Sequence, residues 1–291
     1  MIKYLLIALL SLAINSNAQQ KKNENSLLWE ISGNGLQKPS YLFGTYHYAG
    51  KDFIDTMKVL NTKLNQADII VGELIIDSTL TSKLVPFMIM MDNSLDKLLS
   101  PTEYQKVADY LKKVSGQDLK TFNIMKPVMV QLNILRFTAP KSTITPTNPA
   151  LDQYLQDYGK ANHKTVVGLE TAEDQGVILF GSSLERQKEL LLKSIGDEKK
   201  NKKESQKLYE DYIAQDLSSL EKTFTKLADY TQEEFEAIIK NRNAKWIAQL
   251  PNLMQNGSLF IAVGAGHLVG EDGLIEQLKA KGYEVKPLAT N

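Results

Sequence analysis

Six short runs rich in apolar and β-branched residues recur along the chain, each the length of a strand and each separated from most of the others by helix-coded sequence. They are residues 27–32 (LLWEIS), 40–45 (SYLFGT), 68–74 (DIIVGEL), 165–169 (TVVGL), 258–263 (SLFIAV) and 283–288 (YEVKPL). Most are continuous apolar stretches rather than alternating ones, which suits a sheet covered on both faces. The first two are divided by Gly33-Asn34-Gly35 and Pro39 and read as a β-hairpin forming a first sheet edge. Between the runs, Ser100-Pro101-Thr102-Glu103 is a capping box with proline at the first helical position, followed by Tyr104, Val107, Ala108, Leu111 and Val114. That spacing predicts a helix from 101 to about 114. The expected fold is α/β, with a mixed central sheet flanked by helices. A strand-rich beginning (27–74) and a mostly helical middle (about 78–256, interrupted by the run at 165–169) precede C-terminal strands that return to the sheet, so the two ends of the chain pair.

The segment from Leu184 to Leu227 is polar and carries a single apolar stripe, Ile213, Leu217, Leu220, Phe224 and Leu227, at alternating steps of four and three. Its lysine-rich part, Glu198 to Lys207, is a solvated helix face or loop. No tandem repeat or low-complexity linker interrupts the chain. Residues 1–18 read as a secretory leader, with Lys3, an apolar core from Tyr4 to Ile14, and Ser16-Asn17-Ala18 as a small-residue cleavage site. Residues 19–291 then form a single domain without a retained membrane anchor, expected in the periplasm or secreted. Removing the leader takes Lys3 from a balance of 34 basic against 34 acidic residues, leaving about −1 (33 − 34). That is too little positive charge for a nucleic-acid surface.

The chain has no cysteine and only three histidines, so chemistry falls to imidazoles, carboxylates and hydroxyls. Two histidines share one setting: an apolar strand runs into Gly44-Thr45-Tyr46-His47, and another into Gly264-Ala265-Gly266-His267. Glycine allows a tight turn at each strand end, presenting His47 and His267 at carboxyl ends, where open α/β sheets place their ligand sites. Glu73, in Val71-Gly72-Glu73-Leu74, and Glu170, in Gly168-Leu169-Glu170, stand at similar strand ends. Two imidazoles and a carboxylate suit Zn, Mn, Fe or Co, with positions left open for water. His163 lies in a polar turn and is expected at the surface. The glycines at 264, 266 and 270 miss the spacing of a dinucleotide loop by one residue. Asn241-Arg242-Asn243 opens a helix running to about Leu253, either holding a substrate carbonyl or serving as a cap beside a solvated arginine. Asp152 reads as a first-turn acid favoured by the helix dipole.

In these stretches the chain resembles the TraB/PrgY/GumN family, which is related to the Tiki metalloproteases and more distantly to erythromycin esterases and haem-binding ChaN proteins. LLWEISG, YLFGTYH, ADIIVGEL, GLETAEDQ, NRN and FIAVGAGHL carry the likeness across nearly all of residues 19–291. The resemblance implies a pseudo-symmetric fold and a metal-dependent peptidase using Mn or Co, with Zn also suitable. His47 and His267 match the paired histidines. Glu73 and Glu170 fall in motif positions, one as ligand and one as base without the division being fixed. Arg242 and Asn243 match the pair before the last helix. The expectation is an exported metallohydrolase in which a divalent ion held by His47, His267 and a glutamate activates water. The other glutamate moves the proton, and Arg242 stabilises negative charge on a peptide or small-molecule substrate. The alternatives are a protein that holds a peptide or haem in the same cleft, with Tyr46 or Tyr48 nearby, and a metal-free esterase-like hydrolase using a histidine as base.

Overall fold

The computed structural model describes residues 25–138, 143–196, 198–225 and 230–291; the leader expected over residues 1–18 lies outside them. All six apolar runs become strands, β1 (Leu28–Ser32), β2 (Ser40–Thr45), β3 (Ile69–Gly72), β4 (Thr165–Gly168), β5 (Leu259–Gly264) and β6 (Glu284–Leu288). They join in one sheet of order β4-β3-β5-β2-β1-β6. From β4 through β2 the neighbours are parallel, while β1 runs antiparallel to both β2 and β6. The helices of seven residues or more are α1 (Lys58–Gln66), α2 (Leu80–Met88), α3 (Pro101–Ser115), α4 (Pro127–Thr138), α5 (Leu151–Ala161), α6 (Ala172–Phe180), α7 (Leu184–Ser194), α8 (Glu198–Ile213), α9 (Leu217–Thr225), α10 (Asn241–Gln255) and α11 (Leu274–Ala280). The class is therefore mixed α/β, as the pattern of runs implies.

The strands pair as they do because of what each must hide. The β1–β2 hairpin closes through Gly33, Asn34 and Gly35, all with positive φ (77°, 48° and 80°), a backbone that glycine and asparagine tolerate and bulkier residues resist. The hairpin is not a sheet edge, contrary to the expectation from sequence: β6 pairs outside β1, from Leu28↔Leu288 to Ser32↔Glu284. Leu28, Trp29 and Ile31 are buried, and the β1 backbone is paired on both sides. The residues of β6 suit an edge instead, with charged Glu284 and Lys286 exposed and Pro287 donating no ladder hydrogen bond. β5, made late in the chain, lies between β3 and β2. Leu259, Phe260, Ile261 and Val263 are 0% exposed, each side chain worth roughly 1.5–3 kcal/mol of burial.

The helical middle keeps a small core of its own. Val107 and Leu111 of α3, Val130 and Ile134 of α4 and Leu191 of α7 pack together there, separate from the core against the sheet. α3 starts at the expected capping box, with Ser100 N–H donating to Glu103 at 2.8 Å and Glu103 N–H to Ser100 Oγ at 3.3 Å, and it stops at Gly116 (φ 74°). The apolar stripe beyond Ile213 does not run along one helix. The chain turns at Ala214–Asp216, with Gln215 at φ 55°, leaving Ile213 40% exposed while Leu217 and Leu220 open α9 as buried residues. Leu227 lies outside the described residues. The lysine-rich stretch is the first part of α8, its face laced by Lys202–Glu198 and Lys207–Asp211 pairs.

Gly168, at the end of β4, abuts backbone: a Cβ there would lie 2.8 Å from Ile75 N and 3.0 Å from Leu74 Cα. Backbone cannot swing aside as a flexible side chain can, so Gly168→Ala is expected to destabilise the fold by about 1–3 kcal/mol. Thermal unfolding tests this, and an unchanged Tm would contradict so close an approach.

Candidate active site

Because β2, β5, β3 and β4 are parallel, their carboxyl ends emerge at one edge of the sheet. The register sets Thr45 beside Gly264, and Gly72 beside both Ala262 and Gly168. The two strands that run into GxxH are thus laid side by side. His47, Glu73, Glu170 and His267, far apart in sequence, leave neighbouring strand ends, and the start of α10 brings Arg242 and Asn243 over them.

The two carboxylates face one guanidinium. Arg242 Nε donates to Glu170 Oε2 at 3.0 Å, and Nη2 donates to both Glu170 Oε1 and Glu73 Oε2. Nη1 donates to His267 Nε2 at 3.0 Å and to Ile238 O at 3.4 Å. All five N–H groups of the arginine are therefore taken. The side chains of Arg242, Glu170 and Glu73 are 5%, 3% and 11% exposed. A buried pair of this kind costs about 3–5 kcal/mol to break by removing one partner, because an uncompensated charge is left behind. Gln175 of α6 closes the carboxylate side, donating to Glu170 Oε1 at 3.0 Å and reaching Glu73 Oε2 at 3.5 Å. Glu73 Oε1 accepts the Gly264 N–H at 2.8 Å, and a Cβ on Gly264 would stand 3.3 Å from that oxygen. The glycine before the second histidine thus lets backbone and carboxylate meet.

His267 is buried and its tautomer follows from proton counting. Asn243 Nδ2 donates to the carbonyls of His267 (3.0 Å) and Asp272 (2.8 Å), which turns Oδ1 toward His267 Nδ1 at 2.8 Å. Nδ1 therefore carries the proton, and the lone pair of Nε2 accepts from Arg242. The Trp246 ring lies against both, 4.4 Å from the His267 ring and 4.8 Å from the guanidinium carbon. Trp246 Nε1 is the one buried side-chain polar atom among the described residues that lacks a partner, a cost of about 1–3 kcal/mol. Burial, reinforced by the nearby arginine, lowers His267 to about 3 despite the opposing pull of Glu73. For Glu73, burial disfavours the charge, but His267, Arg242 and His47 outweigh it and bring the carboxyl to about 2. Since His267 is neutral above that range, Arg242 and His47 hold Glu73 ionised near neutrality.

His47 has the same motif and the opposite environment. Its Nδ1 meets Asp152 Oδ2 at 2.9 Å, and Thr45 Oγ1 donates to Asp152 Oδ1 at 2.7 Å. Asp152 is the first-turn acid expected on α5, and it also ties that helix to the first GxxH turn. Its attraction raises His47 above the ordinary imidazole range. The side chain is 66% exposed, so water screens the pair; Glu73 and Arg242 are nonetheless near enough to act on its charge. From below, Tyr212 of α8 donates to Gly44 O at 3.0 Å and packs on Tyr46, ring centroids 5.2 Å apart.

Arg242 is buried, and the chain reaches Asn241 already helical through a π-helical turn at Glu236–Lys240, with no side-chain cap. Of the two readings left open for Asn241-Arg242-Asn243, the cap beside a solvated arginine is therefore corrected. His163 is exposed, as expected. Sequence reasoning missed Gln175 and Trp246, and the pairing of Asp152 with His47. Trp246 stands four residues after Arg242, one helical turn along the same face, and that spacing was the available signal.

The donor chemistry for a divalent ion is present in kind but not in arrangement. Among the described residues no three of His, Asp and Glu are grouped to hold a metal. The space bounded by His267 Nε2, Glu73 and Glu170 is filled by the guanidinium. With Arg242 in place, the residues do not fit a divalent ion there.

Burial of neutral His267 makes stability pH-dependent. Its value is 6.5 unfolded and about 3 folded, so unfolding takes up a proton between those limits. The stabilisation is complete above about pH 6.5 and is lost as pH falls toward 3; Glu73, falling from 4.5 to about 2, adds its loss only below about 4.5. Urea unfolding of the wild type is expected to show declining stability from pH 6.5 to 4.5, and His267→Gln to flatten that interval. Equal slopes in the two proteins would show that His267 is not held neutral.

The match to known proteins follows the same sheet. Residues 27–287 match the model of the TraB/PrgY/gumN family, from the start of β1 into β6. A Metalloprotease TIKI homolog from Amphimedon queenslandica is 24% identical over 342 aligned positions, covering 98% of this chain. The chain spans only 66% of that relative's length. No solved structure matches it. With the family match extending over nearly the whole described chain, the protein belongs to the TraB/PrgY/gumN family.

Proposed function

We propose that the chain is a hydrolase cleaving a peptide or other amide bond at this edge of the sheet, with His47 moving the proton. The observation that carries the reading is the His47–Asp152 pair: an open imidazole, its side chain exposed, whose Nδ1 is tethered to a carboxylate at 2.9 Å. Similarity to a relative named a metalloprotease homolog supports hydrolysis as the reaction class. The leader expected over residues 1–18 would deliver the enzyme to the periplasm or beyond the cell.

Charged His47 can donate a hydrogen bond to the substrate, first polarising the carbonyl and then protonating the leaving nitrogen. Glu73 remains an acceptor beyond its bonds from Gly264 and Arg242 and would take the hydrogen of the attacking water. One turnover balances when that proton returns to His47 as the C–N bond breaks. Arg242, with every N–H engaged, acts here by holding Glu73 and Glu170, in place of the substrate contact expected from the sequence. The Mn- or Co-dependent form of the reaction requires Arg242 to release His267 Nε2; the form driven by His47 does not.

Incubation with a peptide library, with and without a chelator, tests the reading. Cleavage is expected to survive chelation and to fall about 10²–10⁴-fold in His47→Ala, with Asp152→Asn intermediate. Failure of the wild type to cleave any member, or undiminished cleavage by His47→Ala, ends the proposal. Activity lost on chelation and restored by Mn or Co would return water activation to a metal.

A further inference from the structure

We infer that the Arg242 guanidinium is the resident cation of this site: it occupies the donors that a divalent ion would use, and the wild-type box takes up no such ion. The inference concerns which cation fills the box and does not rest on the hydrolase reading. Three donor groups that could converge on a metal, His267 Nε2, Glu73 and Glu170, all converge on Arg242 instead. A competing ion would have to displace hydrogen bonds to both carboxylates and the imidazole, not fill spare valences.

Four elements keep the guanidinium in position. The segments that follow β3 and β4 supply the glutamates, and the turn after β5 supplies the imidazole. The π-helical turn before α10 offers Ile238 O to the remaining N–H, and insertions of this type recur at functional sites. The Trp246 indole packs against the guanidinium carbon at 4.8 Å and against His267 at 4.4 Å, walling both groups from one side. Asn243 fixes His267 with its Nε2 lone pair toward the arginine. The same tether on Nδ1 accompanies metal-bound histidines, so removing Arg242 would leave an imidazole and two carboxylates already oriented for a cation. Charge points the same way, since one guanidinium against two carboxylates leaves the box one charge negative and loss of the arginine makes it two.

The experiment is uptake of Mn, Co and Zn ions, measured by isothermal titration and by the shift in Tm, on the chain purified without chelators and then dialysed. The wild type and Arg242→Lys are expected to show no uptake that depends on His267. Arg242→Ala is expected to bind one equivalent, with a rise in Tm, and to lose that binding when Glu170→Gln is added. If Arg242→Ala folds poorly, refolding it with and without the ion gives the same reading, a metal-dependent recovery of folded protein being expected. One equivalent bound by the wild type and abolished by His267→Ala overturns the inference. So does an Arg242→Ala chain that gains neither binding nor metal-dependent recovery.

Discussion

The contact on which the rest of the site depends is the forked bond from Arg242 to Glu170, extended to Glu73. It joins α10 to the ends of β3 and β4, and it bears directly on the charge of His267 and Glu73. His267 stays neutral because burial beside a guanidinium disfavours a second positive charge. Glu73 stays ionised because the arginine and His47 compensate its burial. Remove the guanidinium and two largely buried carboxylates face each other, an arrangement that forces protonation of one or entry of another cation.

Much of the sheet was legible because strand formation here is coded locally. Each of the six runs is apolar enough to require burial, and glycine or proline punctuates most of their ends. The common edge of His47, Glu73, Glu170 and His267 was legible for the same reason, since each residue closely follows a glycine at a strand end. Strand order was not: β5 is central and β6 covers the hairpin because of contacts over more than two hundred residues of sequence, such as Leu28↔Leu288. Nothing local in LLWEIS indicates that its outer edge will be paired.

The helical middle shows the same division. The capping box at Ser100 announced α3 because capping is a contact between residues three apart. The stripe from Ile213 to Phe224 misled because a four-and-three spacing survives in sequence across a left-handed residue, Gln215, that breaks the helix in space. Asp152 and Tyr212 were unreadable as site residues for a further reason. Each acts through a partner more than a hundred positions away, Asp152 on His47 and Tyr212 on Gly44, while its local sequence already gives it an ordinary place on a helix.

The two GxxH segments carry the strongest lesson about what a motif can specify. They match in local sequence, follow the paired strands β2 and β5 with an offset of one residue (Thr45 opposite Gly264), and present their histidines at the same edge. Yet one imidazole is open and drawn toward the charged form by Asp152, while the other is closed in and kept neutral beneath Trp246 and Arg242. Environments that push two like groups apart in protonation divide roles between them. A neutral imidazole with a fixed tautomer can orient and accept; an open imidazolium beside a carboxylate can give up a proton and recover it. The motif specifies position, and the long-range partner, carboxylate or guanidinium, specifies charge. That division is why the likeness of the two segments placed both histidines at one edge of the sheet and left the chemistry of each to be read from the fold.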